Sequence, residues 1–126
     1  LAANQVIGHA WFRARPYASH PGAHLLVSAS LDPSFPSDHA TAGFAFSLGA
    51  LSNLPRVAAI VFVETVLMSL GRVYAGLHYP GDILGGLLVA AAAALAALLV
   101  AALAAGLIDP ESRAQRTRRS LGVRQI

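Results

Sequence analysis

The sequence predicts an all-α protein, a multi-pass transmembrane helical bundle, on three observations. Apolar residues make up 56% of the 126 residues and charged residues only 12%, about half the charged share of a soluble domain. The stretch from Ile83 to Ile108 holds no charge at all. No segment alternates polar and apolar residues as a half-buried strand does. A chain this short has too little interior to hide so many apolar side chains from water.

Leu1 to Phe12 reads as the end of a helix. The chain starts without Met and without a secretory signal, and transmembrane helices are expected to precede it. Arg13 to Pro36 is rich in Pro, Ser, His and Gly and reads as a long loop; loops of this length are usually functional or disordered. Asp38 to Leu54 follows as a helix, with Ser37 as its N-cap and Pro55 as its stop. It would reach roughly 25 Å, marginal for a bilayer. Arg56 to Gly71 is the next apolar helix, broken only by Glu64. A carboxylate in mid-span is expensive in lipid, so Glu64 is expected to face the bundle, neutral or paired, in a packing rather than a catalytic role. Pro80 opens the last helix. Its uncharged part, Ile83 to Ile108, would reach roughly 39 Å, enough to cross the hydrocarbon core with tilt. Residues 1–108 therefore read as a membrane domain, and 109–126 as a flexible basic tail.

The net charge of +3 has one location. From Asp109 onward five Arg face Asp109 and Glu111, whereas the preceding 108 residues hold four Arg and four acids. Nucleic-acid binding would want basic residues spread over a folded face with aromatic partners. A basic tail beside an apolar helix instead fits a cytoplasmic membrane flank. The last helix then starts outside, and so do both polar connections, Arg13 to Pro36 and Gly71 to Tyr79. The absence of cysteine excludes disulfides and thiolate metal sites.

Three clusters fall on those outer connections: Arg13-Ala14-Arg15-Pro16, Ser34-Phe35-Pro36-Ser37-Asp38-His39, and Gly71-Arg72 through Leu77-His78-Tyr79-Pro80-Gly81-Asp82. A membrane protein so poor in charge gathers Arg, His and Asp at one depth to meet a polar ligand. Phosphoryl transfer accounts for the residue types. Arg15 and Arg72 can hold phosphate oxygens bidentately. The helix opening at Ser37 offers free N–H groups and a positive dipole end. His39 and His78 can serve as proton donor and nucleophile, and Asp82, four residues after His78, can orient its ring. His9, His20 and His24 read as loop or interface residues. No His-x-His pair occurs, and His20 and His24, four apart, are separated by Pro21-Gly22 in the loop rather than set on one helix face; neither a metal nor another cofactor is expected.

At these residues the chain resembles the type 2 phosphatidic acid phosphatase family, which includes vanadium haloperoxidases and bacterial acid phosphatases. The family pattern is Lys-x6-Arg-Pro, then Pro-Ser-Gly-His, then Ser-Arg-x5-His-x3-Asp, and the resemblance runs from about Asn4 to Gly86. It implies a six-span helical bundle in which Arg15 and Arg72 bind phosphate and Ser37 hydrogen-bonds it. His39 would protonate the leaving oxygen, His78 would attack phosphorus and Asp82 would orient His78. Three positions depart from the pattern: Gly8 stands where the family has Lys, Asp38 replaces Gly, and Gly71 replaces Ser. The Ser-Phe-Pro-Ser-Asp-His-Ala and His-Tyr-Pro-x-Asp forms are similar to the branch that dephosphorylates undecaprenyl diphosphate.

The expected function is therefore a metal-independent lipid phosphatase of the cell membrane, acting on a prenyl diphosphate at the extracytoplasmic face. A phosphatidate or phosphatidylglycerophosphate phosphatase, and a catalytically silent lipid-phosphate binder, are the alternatives. Asp38 is expected to point away from the phosphate and to pair with Arg13 or Arg15. Arg13 and Arg15 would then present two guanidinium groups to the two phosphates of the substrate, with Arg13 offsetting the missing Lys.

Overall fold

The Pro and Gly punctuation of the sequence sets the helix ends in the computed structural model, which describes residues 1–108. Five helices follow one another: α1 (Ala2–Ala10), α2 (Pro16–Ser19), α3 (Asp38–Ala50), α4 (Pro55–Tyr74) and α5 (Pro80–Ile108). No strand occurs among the described residues, as the sequence predicts. The expected basic tail lies outside the described residues.

Two helix ends differ from expectation. α3 stops at Ala50, short of Pro55, where the Leu54 N–H donates to the Ala50 carbonyl at 2.8 Å. Pro55 then opens α4 as its first residue, a position where a missing N–H costs nothing. α4 also continues past Gly71 to Tyr74, which places Arg72 on a helix rather than in a loop. Beyond its Ala75 cap the chain turns away at Gly76, whose φ of +73° is left-handed backbone that favours glycine.

α4 and the Pro80–Ala105 part of α5 are both long and apolar enough to cross a bilayer. Only 17% and 6% of their most apolar stretches are buried. A core helix of a soluble protein would be mostly buried, so these faces belong to lipid or to other helices. α3, with 13 residues, spans roughly 20 Å and is short of a full crossing.

Residues 1–94 form one compact unit. Lipid gives helices no hydrophobic reason to associate, so small residues and hydrogen bonds hold them together. Ala40, Phe44 and Ala90 form the buried apolar cluster, flanked by Leu48, Val66, Ile83 and Leu87. Phe44 packs on Phe62 at 5.3 Å between ring centroids, and the Ser47 hydroxyl donates to the Ala58 carbonyl at 2.8 Å. A Cβ on Gly86 would lie 3.0 Å from Ala40 Cβ, Ser37 O and Thr41 N. That glycine is what lets α5 touch the start of α3. The second unit, residues 95–126, contains in its described part only the distal turns of α5.

Glu64 is exposed on α4 rather than turned into the described bundle. The buried face of α4 is carried by Ala58, Thr65 and Ser69, and Glu64, next to Thr65, lies about 100° around the helix. Among the described residues it makes no ion pair.

The Arg13 to Pro36 segment is an ordered strap. Tyr17 Oη donates to the Ser30 carbonyl at 2.5 Å and accepts from the Ser30 N–H at 3.0 Å. The Leu26 N–H reaches the Ala75 carbonyl at 3.4 Å, and a Cβ on Gly76 would lie 2.8 Å from the His24 carbonyl oxygen. The strap thus closes over the α4–α5 connection and brings Arg13 and Arg15 to His78.

Candidate active site

The three clusters meet at one end of the Leu1–Ala94 unit. At their centre is His78, 2% exposed. Its Nδ1 lies 2.9 Å from the Ser34 carbonyl oxygen and 3.6 Å from Asp82 Oδ2. Both are acceptors, so Nδ1 carries the proton. Its Nε2 lies 3.3 Å from Arg15 Nη1 and 3.5 Å from Arg72 Nη2. A guanidinium has donors only, so Nε2 presents its lone pair. The surroundings therefore select the tautomer with its proton on Nδ1, and the Nε2 lone pair lies between two cations.

The hydrogen-bond partner of Nδ1 differs from expectation. Asp82 was expected to take it, but at 3.6 Å the carboxylate is beyond hydrogen-bond range, and the Ser34 carbonyl fills the position. Asp82 is completely buried and is held from three sides. The Ser34 hydroxyl donates to Oδ2 at 2.5 Å, the Tyr79 N–H donates to Oδ2 at 2.8 Å, and Arg13 Nη1 donates to Oδ1 at 2.9 Å. Its charge faces the imidazole without bonding it. Ser34 is a site residue that the sequence reading left without a role. Its place in the Ser-Phe-Pro-Ser-Asp-His run was the available signal.

A cavity of about 140 Å³ opens in front of Nε2, and Arg15, Arg72, His39 and His78 all line it. Arg15, 7% exposed, is fixed by the carbonyls of Asp32 at 3.1 Å and Leu77 at 3.0 Å. Arg72 Nε is buried without a hydrogen-bond partner among the described residues, a donor that an anion in the cavity can satisfy. His39 sits in the first turn of α3 with an exposed edge. Partial desolvation and then the charge of Arg72 lower its pKa from the ordinary imidazole value, with Asp38 opposing.

Ser37 and Arg13, two expected phosphate contacts, do not line the cavity, and Asp38 has a different partner from the expected one. Ser37 is fully buried as the N-cap of α3; its N–H donates to the Asp82 carbonyl at 3.0 Å, and it does not line the cavity. Asp38 lines the cavity, but its carboxylate is not paired with Arg13 or Arg15. Asn4 Nδ2 donates to Oδ1 at 2.7 Å and Gln5 Nε2 to Oδ2 at 3.5 Å, so Asp38 fastens α1 to α3. Arg13 does not line the cavity either. Its guanidinium lies 4.0 Å over the Tyr79 ring, in a cation–π contact, and bonds Asp82. Arg13 and Arg15 are not presented as a pair: Arg15 reaches the Leu77 carbonyl and His78 Nε2, whereas Arg13 reaches Asp82 and the Tyr79 ring.

Gly8, at the family's Lys position, lines the cavity, and a Cβ there would lie 3.2 Å from Pro33 Cβ. Asn4 and Gln5 are the polar side chains α1 brings to this wall. Among the described residues no three His, Cys, Asp or Glu side chains form a group that could hold a metal ion.

The fold and the site residues place the chain in a family: it belongs to the PAP2 superfamily, whose family model matches residues 1–105. It is similar to the undecaprenyl-diphosphatase BcrC of Bacillus subtilis, 36% identical over 90 residues, covering 71% of this chain and 46% of that protein. It is 30% identical over 87 residues to the bacitracin transport permease protein BcrC of Bacillus licheniformis, covering 68% and 42%. It is 34% identical over 76 residues to an undecaprenyl-diphosphatase of Sulfolobus acidocaldarius, covering 60% and 37%. The chain spans less than half the length of these relatives.

Proposed function

We propose that this chain carries the active site of a membrane phosphatase that hydrolyses a prenyl diphosphate through a phosphohistidine on His78. The observation that carries the reading is the Nε2 lone pair of His78, aimed into a cavity between Arg15 and Arg72. The undecaprenyl-diphosphatase names of two relatives support the substrate class.

In the first step Nε2 attacks the terminal phosphorus and the bond to the bridging oxygen breaks. The electron pair leaves with the prenyl phosphate, and the phosphoryl group stays on His78. The two guanidinium groups offset the charge on the equatorial oxygens. Asp82 offsets the positive charge that the ring gains as the N–P bond forms. His39, on the cavity wall, supplies a proton to a leaving oxygen that needs one. A water then attacks the phosphohistidine, releasing inorganic phosphate and restoring the imidazole. No metal takes part.

Phosphate release from undecaprenyl diphosphate and from phosphatidate, with and without EDTA, tests the proposal. The expected result is a higher kcat/KM for the diphosphate, full activity in EDTA, and no turnover by His78→Ala. Activity lost to EDTA and restored by a divalent ion would replace the mechanism. Equal rates on both lipids would make a generic lipid-phosphate phosphatase the better reading.

A further inference from the structure

We infer that Arg13 is a positioning residue for the nucleophile, acting through Asp82, and that it does not bind the substrate phosphate. The inference rests on the proposed attack by His78 and adds a third member, beside Ser34 and Asp82, to the group that orients it.

Arg13 grips the support of the His78 ring twice. Its carbonyl accepts the Ser34 N–H at 2.8 Å, and Ser34 in turn takes His78 Nδ1 on its own carbonyl. Its guanidinium holds Asp82 Oδ1 at 2.9 Å. The guanidinium is itself held over Tyr79, whose hydroxyl pairs with Ser19 at 2.7 Å and whose ring meets His20 edge-on.

The carboxylate of Asp82 has two oxygens and two tasks. With Oδ1 taken by Arg13, Oδ2 remains turned toward the imidazole at 3.6 Å. Without Arg13, Oδ1 is a buried charge lacking its partner, and the carboxylate turns to recover one. Its field at His78 then weakens when it is needed, as the ring becomes positive in the transition state. The positive charge of Arg13 works the other way, because it disfavours a cationic ring. That opposition is the smaller effect: the Arg13 side chain is 41% exposed and screened by water, whereas Asp82 is fully buried.

A group acting only on the bonded state separates two ligands. Vanadate accepts a bond from the nucleophile and imitates the transition state, while inorganic phosphate occupies the cavity without one. For the full-length protein in lipid nanodiscs, Arg13→Ala is expected to weaken vanadate binding about tenfold, the range of a charge-assisted hydrogen bond. Phosphate binding should stay within about twofold. Arg13→Lys should recover most of the vanadate affinity. In an Asp82→Asn background Arg13→Ala should weaken vanadate no further, since the two residues form one unit. Arg13→Gln carries the same expectations if Arg13→Ala does not purify folded. Equal weakening of vanadate and phosphate would make Arg13 a direct anion ligand and overturn the inference. So would an additive loss in the Asp82→Asn background. Failure of the wild-type protein to bind vanadate would instead overturn the His78 reading, and this inference with it.

Discussion

In the proposed reaction His39 is the proton donor, so its protonation state is expected to decide which substrates react. It faces Arg72, His78 and Arg15 across the cavity, and partial desolvation followed by the charge of Arg72 lowers its pKa, against the opposing charge of Asp38. A general acid acts only while protonated, and a lowered pKa means that the acid form is lost at a lower pH than for free imidazole. The kcat/KM of a substrate with a poor alkyl leaving group should therefore fall as pH rises through that lowered value, because this parameter reports the free enzyme. An aryl phosphate, whose leaving group departs without a proton, should show no such limb. His39→Ala should remove the limb and slow the alkyl substrate by roughly 10²–10⁴-fold. Parallel pH–rate profiles on the two substrates check this; coincident profiles would take the proton-donor role away from His39.

At the scale of elements, the site depends on α5 coming close to the start of α3. The contact is made at Gly86, where an added Cβ would be 3.0 Å from two backbone atoms that belong to the Ser37–Thr41 turn. Those atoms cannot move without shifting Ser37 and, through its N–H, the Asp82 carbonyl. Gly86→Val should destabilise the protein by about 1–3 kcal/mol by overpacking and lower activity by displacing the His39 turn. Gly49, also helical, meets nothing within 4 Å. Gly49→Ala should be neutral or stabilise by up to about 1 kcal/mol, because the unfolded chain loses entropy at no steric cost. Thermal melting of both variants in one detergent, alongside activity, tests the pair. A Gly86 variant as stable and active as wild type would show that α5 has room to withdraw.

For the molecule as a whole the open question is sidedness, and it follows from charge. The excess of five Arg over two acids lies from Asp109 onward, while residues 1–108 are balanced. Basic flanks remain cytoplasmic, so the opposite end of α5, with His78, Asp82 and the strap, is expected outside. The chain has no cysteine, which makes an introduced one a unique label. Ser28→Cys, at an exposed position of the strap, should react with a membrane-impermeant maleimide in intact cells. A reporter fused after Ile126 should behave as cytoplasmic. Protection of Ser28→Cys until the cells are lysed would put the site on the cytoplasmic side.

What the sequence by itself determined is what short-range chemistry controls. Ser37 and Pro80 mark helix starts because an N-cap hydroxyl and a missing N–H act within one turn. The charge-free run after Asp82 marks a span because lipid selects on composition. The spacing of Arg72, His78 and Asp82 reveals a site because a helix end and its connection fix those distances locally. The partners were decided only by the tertiary structure. Arg13 could have paired with Asp38 or Asp82, and Asp38 with Arg13, Arg15 or Asn4; local geometry permits each. The strap chose among them by carrying Arg13 to a residue 69 positions away and leaving Asp38 to Asn4, 34 positions back. The side of α4 on which Glu64 falls is undecided by spacing for the same reason, since the buried face of α4 depends on where Phe44 and Ser47 meet it. A charged side chain bonds whatever the fold brings within about 3 Å, and sequence spacing does not encode that distance across separate elements.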